Sequence, residues 1–339
     1  MKKLVAVLVG VLLSAGLVFA SGTTESGAST AKKGGYRLFM NPKFTGLAYF
    51  EVCANGAKEA AAELGDTFVY TGSEQADVQL QVQSLQNIIA QKPDAIIVSA
   101  IDLNAVAPPL RQAMAQGIKV VSYDADTATD ARDFFVNQMS YEGAARTMLD
   151  CALLDAPQGG EIAFIAASPT SPNHMAHIRI MTELTKTDPK YSVFKPVATQ
   201  FAADDEAKSI EVAVNLMQAY PNLKVIISSS AVSAPAAARA IETIGKVGKV
   251  FATGVALPSS IKSYLKDGSQ KAFFIWDPAM LGYLSVYAAH AALDGSLKKA
   301  EGATFSAGKL KEFTVGKDGE IVYGRPLIFT PENIDQYNF

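Results

Sequence analysis

Histidine, cysteine and tryptophan are scarce in this 339-residue chain, which holds three, two and one of them. Two cysteines in a chain of this length do not make a disulfide framework. Cys53 and Cys151 also fall in patterns that read as helical, where a buried free thiol is the commoner state. His174 and His177 are the only close histidine pair. Their i, i+3 spacing would suit a shared metal, but the nearest acid is Glu183, away from ligand spacing, and no metal or other cofactor is expected. Basic blocks are missing too: 30 Lys and Arg stand against 33 Asp and Glu, for a net charge of −3. That excludes duplex nucleic acid as a partner, because phosphate binding needs clustered cations. Neither G-x-x-x-x-G-K-[ST] nor G-x-G-x-x-G is present, which argues against a P-loop or dinucleotide enzyme. G-x-S-x-G is also missing, and with it the signature of an α/β-hydrolase.

Long apolar runs occur only at the amino end. Met1, Lys2 and Lys3 precede an apolar stretch, Leu4 to Val18, and Val18-Phe19-Ala20 offers a small-residue cleavage site. These are the three parts of a secretory signal peptide over residues 1–20, with cleavage expected after Ala20. Gly10, Ser14 and Gly16 interrupt the run, which falls short of the ~20 residues that span a membrane. No cysteine follows it, so no lipid anchor is expected. Removing it takes two lysines and no acid, so 28 basic side chains remain against 33 acidic, a net charge of −5. An exported, mildly acidic protein follows. Residues 21–35, rich in Ser, Thr and Gly, read as a flexible lead-in.

Beyond residue 35 the chain alternates. Strand-like runs fall at Tyr36–Met40, Thr67–Tyr70, Ala95–Ser99, Lys119–Ser122 and Phe134–Val136, with helices near 47–64, 76–91 and 103–116 between them. After a helix near 140–155 the rhythm restarts. Strands are expected at Glu161–Ala166, Val193–Thr199, Lys224–Ile227, Lys249–Thr253 and Lys271–Ile275, and helices at 174–186, 204–219, 234–245 and 258–267. A long helix, 278–294, is followed by short segments at Phe313–Val315, Ile321–Tyr323 and Leu327–Phe329. The strands lack in-out alternation, as strands buried on both faces do. Two sets of about five βα units predict an α/β fold of two Rossmann-like, doubly wound lobes with parallel sheets.

In such sheets ligands bind beyond the carboxyl ends of the strands, so the residues just after each strand are the candidates. Lys43, Tyr49 and Phe50 follow the first strand. Lys43 is a cation at the cleft mouth or a solvated surface charge, and the aromatics are a ligand wall or core packing. Asp124 and Asp126 follow V-V-S-Y. Asp124 is placed to accept hydrogen bonds from ligand hydroxyls, whereas Asp126 reads first as a turn cap. Trp276 offers an aromatic face to a sugar ring or plugs a lobe interface. Asp277 accepts hydroxyls, caps the helix begun by Pro278, or both.

Several long stretches carry a family resemblance: KPDAIIVSA (92–100), GIKVVSYDADT (117–127), ARDFFVNQ (131–138) and SPTSPN (168–173). AYPNLKVII (219–227), IWDPAMLGYLSVYAA (275–289) and NIDQYNF (333–339) extend it. The chain resembles the periplasmic sugar-binding proteins of ABC importers, of the type I fold, in the branch with the rhamnose- and autoinducer-2-binding proteins. The resemblance implies two lobes joined by three crossovers, near Asn137–Gln138, Trp276–Asp277 and about 310. The amino-terminal lobe would be 36–137 with 278–310, and the other 138–277 with 311–339.

The resemblance also implies roles. Lys43 and Asp124 match charged residues that hold ligand hydroxyls, Tyr49 and Phe50 an aromatic wall, and Trp276 a cleft aromatic. Three places depart from it: Asn173-His174 stands for an Asp-Gln pair, Ser229 with Ala231 for Pro and Ala, and Asp277 for an Asn. An altered hydrogen-bonding set implies an altered ligand, a small monosaccharide, a deoxysugar such as rhamnose, or a polyol rather than autoinducer-2. The function implied is that of a monomeric, non-enzymatic solute-binding protein. It closes on its sugar and delivers it to the ABC permease subunits, with a chemoreceptor as a further partner. The alternatives are an autoinducer-2 binder of the same fold and an exported sugar-acting enzyme using Asp124, Asp126 and Asp277. A transcription regulator would need an amino-terminal helix-turn-helix and basic charge where the export signal stands.

Overall fold

Val, Ile and Phe fill short runs that have no polar face, and such runs become strands only where both faces are covered. The computed structural model describes residues 35–324 and 326–339. The expected signal peptide, and all of the lead-in but Gly35, lie outside these. The first part comprises β1 (Arg37–Asn41), α1 (Ala48–Leu64), β2 (Thr67–Tyr70), α2 (Val78–Ala90), β3 (Ala95–Val98), α3 (Ala107–Ala115), β4 (Lys119–Tyr123) and β5 (Phe134–Asn137). Then come α4 (Tyr141–Asp155), β6 (Gly160–Ala166), α5 (Pro172–Thr187), β7 (Phe194–Phe201), α6 (Glu206–Ala219) and β8 (Leu223–Ser228). The chain continues through α7 (Ser233–Thr243), β9 (Phe251–Gly254), α8 (Pro258–Lys266), β10 (Phe273–Ile275) and α9 (Pro278–Asp294). Short strands β11 (Thr304–Ser306), β12 (Glu312–Thr314), β13 (Glu320–Val322) and β14 (Leu327–Phe329) complete it.

Six strands form one parallel sheet in the order β13-β5-β4-β3-β1-β2. Alternate residues serve opposite faces. Leu38, Met40, Ile97 and Val121 join the core beneath α1 and α9. Phe39, Ile96, Val98 and Val120 join a separate core with Leu85 and Ile88 of α2 and Leu110 of α3. The second sheet, β7-β6-β8-β9, is also parallel. A bridge from Val255 to Phe274 brings β10 beside it, and β10 pairs antiparallel with β14. This is the doubly wound α/β architecture of the type I periplasmic binding proteins. Among the described residues no helix is long and apolar enough to cross a membrane.

The chain leaves the first sheet after β5 and returns through Trp276 into α9, which packs on β3, β4 and β5. The third crossing does not fall near residue 310. β13 lies along the free edge of β5, with Glu320 opposite Phe135 and Val322 opposite Asn137. The Tyr323 amide donates to the Asn137 carbonyl at 2.7 Å. An edge strand leaves its backbone groups open to pairing, and β13, with Ile321 wholly buried, satisfies those of β5. Residues 320–322 therefore belong with the first sheet, and the crossing comes between Tyr323 and Leu327.

Local chemistry sets the helix ends. Asp77, Ser140, Asp205 and Asp277 each cap the helix that follows by accepting a backbone N–H. The helix expected over 103–116 begins only at Ala107, because Pro108 and Pro109 fit only a first turn. Before it, Asp102 accepts the amides of Asn104 and Ala105, both at 2.9 Å, and holds a turn. Cys53 and Cys151 are both buried and free. Helices α1 and α9 pack backbone to backbone. A Cβ on Gly56 would lie 1.8 Å from the Ala279 carbonyl oxygen, and one on Gly282 would lie 1.9 Å from that of Cys53. Only glycine permits that approach.

Candidate functional site

The carboxyl ends of both sheets meet around a cleft with about 370 Å³ of empty space. From the first sheet, Lys43 follows β1, Asp124 follows β4, and Tyr49 and Phe50 lie in the first turn of α1. From the second, Asn173 and His174 open α5, Ser229 and Ala231 follow β8, and Trp276 follows β10. These nine residues, all singled out in the sequence, line the cleft.

Asp124 is the polar centre. It is 4% exposed and takes a left-handed backbone, φ 58°, a conformation that Asp adopts more readily than most residues. Its Oδ2 accepts from the Ser99 hydroxyl at 2.8 Å and its Oδ1 from the Tyr49 hydroxyl at 3.1 Å. Lys43 Nζ lies 3.4 Å from Oδ2, in an ion pair buried at both ends. Two further contacts cross the cleft: Lys43 Nζ to Asn173 Oδ1, and Asn173 Nδ2 to Asp124 Oδ1, each 3.5 Å. The short bonds from Ser99 and Tyr49 orient the carboxylate. The long ones are at the limit of hydrogen bonding, and ligand hydroxyls can replace them.

The aromatic wall is tied to this centre. Trp276 Nε1 donates to the Tyr49 hydroxyl at 2.8 Å. The two rings meet edge to face, their centroids 6.2 Å apart, and Phe50 meets Tyr49 in the same way at 5.1 Å. Burial, and then the charge of Asp124, push the Tyr49 phenol well above its ordinary pKa, so it remains a donor.

His174 Nδ1 accepts from the Ala167 amide at 3.1 Å. Burial, and then the nearby Lys43, push its pKa down to about 3. The ring is neutral at physiological pH, and a neutral ring accepting on Nδ1 carries its proton on Nε2. His174 therefore offers the cleft a donor. His177, one turn on, turns away from the cleft and packs edge-on against Tyr141. Among the described residues no group of three or more His, Cys, Asp and Glu could hold a metal ion.

Two expected ligand residues stand outside the cleft lining. Asp126 grips Arg132, accepting from Nε at 2.6 Å and from Nη2 at 2.8 Å, and also accepts from the Ser122 hydroxyl at 2.5 Å. Asp277 caps α9, accepting the Met280 amide at 3.1 Å. Leu47, Asp204, Ser230 and Val255 line the cleft without having been singled out. Asp204, just past β7, takes a left-handed backbone and accepts from the Ser230 hydroxyl at 2.5 Å. The rule that sites lie after strands would have pointed to it.

An ion pair, hydrogen-bonding side chains and a ring wall line one cleft. That architecture defines a class. Residues 38–297 match the family model of the periplasmic binding protein domain, and the chain belongs to that family. The family is extracytoplasmic, and its curated members similar to this chain are solute-binding proteins.

Among solved structures, a sugar ABC transporter protein from Actinomyces odontolyticus is 35% identical with a TM-score of 0.73. That match covers 92% of this chain and 99% of the other. An ABC transporter solute-binding protein from Clostridium phytofermentas with bound L-rhamnose is 29% identical, with a TM-score of 0.85, over 89% of this chain and 98% of the other. The D-allose-binding periplasmic protein of Escherichia coli is 26% identical over 236 residues, 67% of this chain and 75% of its own length.

Proposed function

We propose that this chain is the sugar-binding component of an ABC importer. It is exported by its amino-terminal signal, with cleavage after Ala20, and captures a neutral monosaccharide, deoxysugar or polyol in the cleft. The observation that carries this reading is the buried Lys43–Asp124 pair. Its carboxylate is held by Ser99 and Tyr49, and its cation is shared with Asn173 across the cleft. Opposite charges leave the pair neutral, and directed acceptors and donors beside an indole suit hydroxyls on one edge of a sugar and C–H groups on its face.

Binding works by closure. Groups from the two sheets each hold part of the ligand, so the ligand favours the arrangement in which both touch it. The permease then recognises the closed protein, which acts as a monomer. Binding without chemistry is supported by the state of the acids. Asp126 is committed to Arg132 and Asp277 to its helix cap, which leaves neither free to partner Asp124 in acid–base work.

The test is calorimetric titration of the mature protein with L-rhamnose, D-allose, D-ribose, D-arabinose, tetritols and autoinducer-2. Saturable binding of a sugar that is recovered unchanged is the expected result. Autoinducer-2 binding alone would favour the alternative ligand, and turnover of a bound sugar would overturn the non-enzymatic reading.

A further inference from the structure

Beside the cleft lies a second chamber with about 510 Å³ of empty space, counted with the solvent at its mouth. Its walls come from both sheets. Phe44 follows β1, Val78 opens α2 and Ile101 follows β3, while Ala167, Thr170 and Ala203 follow β6 and β7. The two spaces share Lys43 and Asp204. The lining therefore changes from polar to apolar across these two side chains. On the other flank, a groove beside α7 shares Leu47, Tyr49 and Ala231 with the cleft and differs from the chamber in carrying the Glu206–Arg239 ion pair, closed at 2.8 Å.

We propose that this chamber is an aglycone subsite: the protein takes a glycoside, with the sugar ring in the cleft and an apolar aryl or alkyl substituent against Phe44, Val78 and Ile101. The proposal rests on the sugar-binding reading. A free sugar fills the polar cleft and leaves the apolar walls wet. A substituent of ring size covers them, and apolar area taken from water adds affinity at ~25 cal/mol per Å². Lys43 and Asp204 stand where the glycosidic oxygen passes from one space to the other. Phe44, itself edge-on to Phe50 at 6.3 Å, joins the new wall to the aromatic wall of the cleft.

Calorimetry on the mature protein tests it with L-rhamnose, D-allose and D-ribose, each free and as both p-nitrophenyl anomers. At least one aryl glycoside should bind about tenfold or more tighter than its parent sugar. Val78→Asp should remove most of that gain while leaving parent-sugar affinity within about twofold. The substitution sits in the first turn of α2, where an acidic residue suits the helix, and Val78→Ser serves as a second, uncharged variant. A free sugar that binds while every glycoside binds more weakly overturns the subsite and leaves the sugar reading intact. So does a gain that survives both variants. If neither sugars nor glycosides bind, the sugar reading falls, and the subsite with it.

Discussion

The Trp276 indole donates to the Tyr49 hydroxyl at 2.8 Å, and that hydroxyl donates onward to Asp124 at 3.1 Å. One phenol thus serves as acceptor for the only tryptophan and as donor to the central carboxylate. The ring wall and the polar centre of the cleft are two ends of one chain of hydrogen bonds.

Removing the middle of that chain should cost more than removing its end. Tyr49→Phe leaves the buried indole N–H without an acceptor and the carboxylate short of a donor. A loss of about 1–3 kcal/mol in stability is expected, with weakened sugar binding. Trp276→Phe leaves the Tyr49–Asp124 bond in place and should weaken binding with a smaller loss of stability. Urea unfolding and titration of both variants check the order. Equal stability losses would show that the phenol has no double role.

Asp124→Asn keeps the shape of the side chain and removes the charge that faces Lys43. Hydrogen bonds to charged groups are worth ~1.5–3 kcal/mol, so affinity for the cognate sugar should fall roughly 10- to 100-fold. Undiminished affinity by calorimetry would remove Asp124 from the site.

Asp126 should separate stability from binding. Arg132 is 2% exposed, and Asp126→Ala leaves its guanidinium buried without its carboxylate. Breaking a buried pair in this way costs ~3–5 kcal/mol. The unfolding midpoint should fall sharply, while the folded fraction binds sugar within about threefold of the parent protein. A large affinity loss at unchanged stability would return Asp126 to the ligand site.

Burial holds His174 and His177 at pKa values of about 3, against ~6.5 in an unfolded chain. As the pH falls below ~6.5, the unfolded chain takes up protons first, so stability decreases on acidification. Each ring should contribute roughly 1–2 kcal/mol of loss between pH 6.5 and 5. His177→Phe keeps the contact with Tyr141 and removes one titrating group, so its urea midpoint should fall less between pH 7 and pH 5. An identical fall in both proteins would place the titration elsewhere.

Strands buried on both faces write themselves into sequence as uninterrupted Val, Ile and Phe, and so the β1 and β3–β5 alternation is readable residue by residue. For β13 a segment is readable, at Ile321–Tyr323, but its place in the fold is not. Three residues, Glu320–Val322, carry no periodicity, and the sheet they join is decided by the open edge of β5, far away in sequence. Asp124 and Asp126 show the same limit at the site. Both are acids past one strand, and only the position of Asp124 directly after the strand favours it over Asp126, which reads first as a turn cap. What separates them is a left-handed turn at the first and the Arg132 fork around the second. Asp204 and Ser230 escaped notice because Asp and Ser after a strand are ordinary turn residues until the opposite sheet faces them.

The glycine contacts between α1 and α9 have a consequence for how loading can be observed. Tyr49 stands at the head of α1 and Trp276 immediately before α9, and the two helices are locked backbone to backbone at Gly56 and Gly282. The indole is tied to the α1 side through Tyr49, and its ring also meets Phe274 of β10 edge to face at 6.1 Å. Its emission should register a solute arriving against the ring, which makes the protein a built-in optical sensor of occupancy.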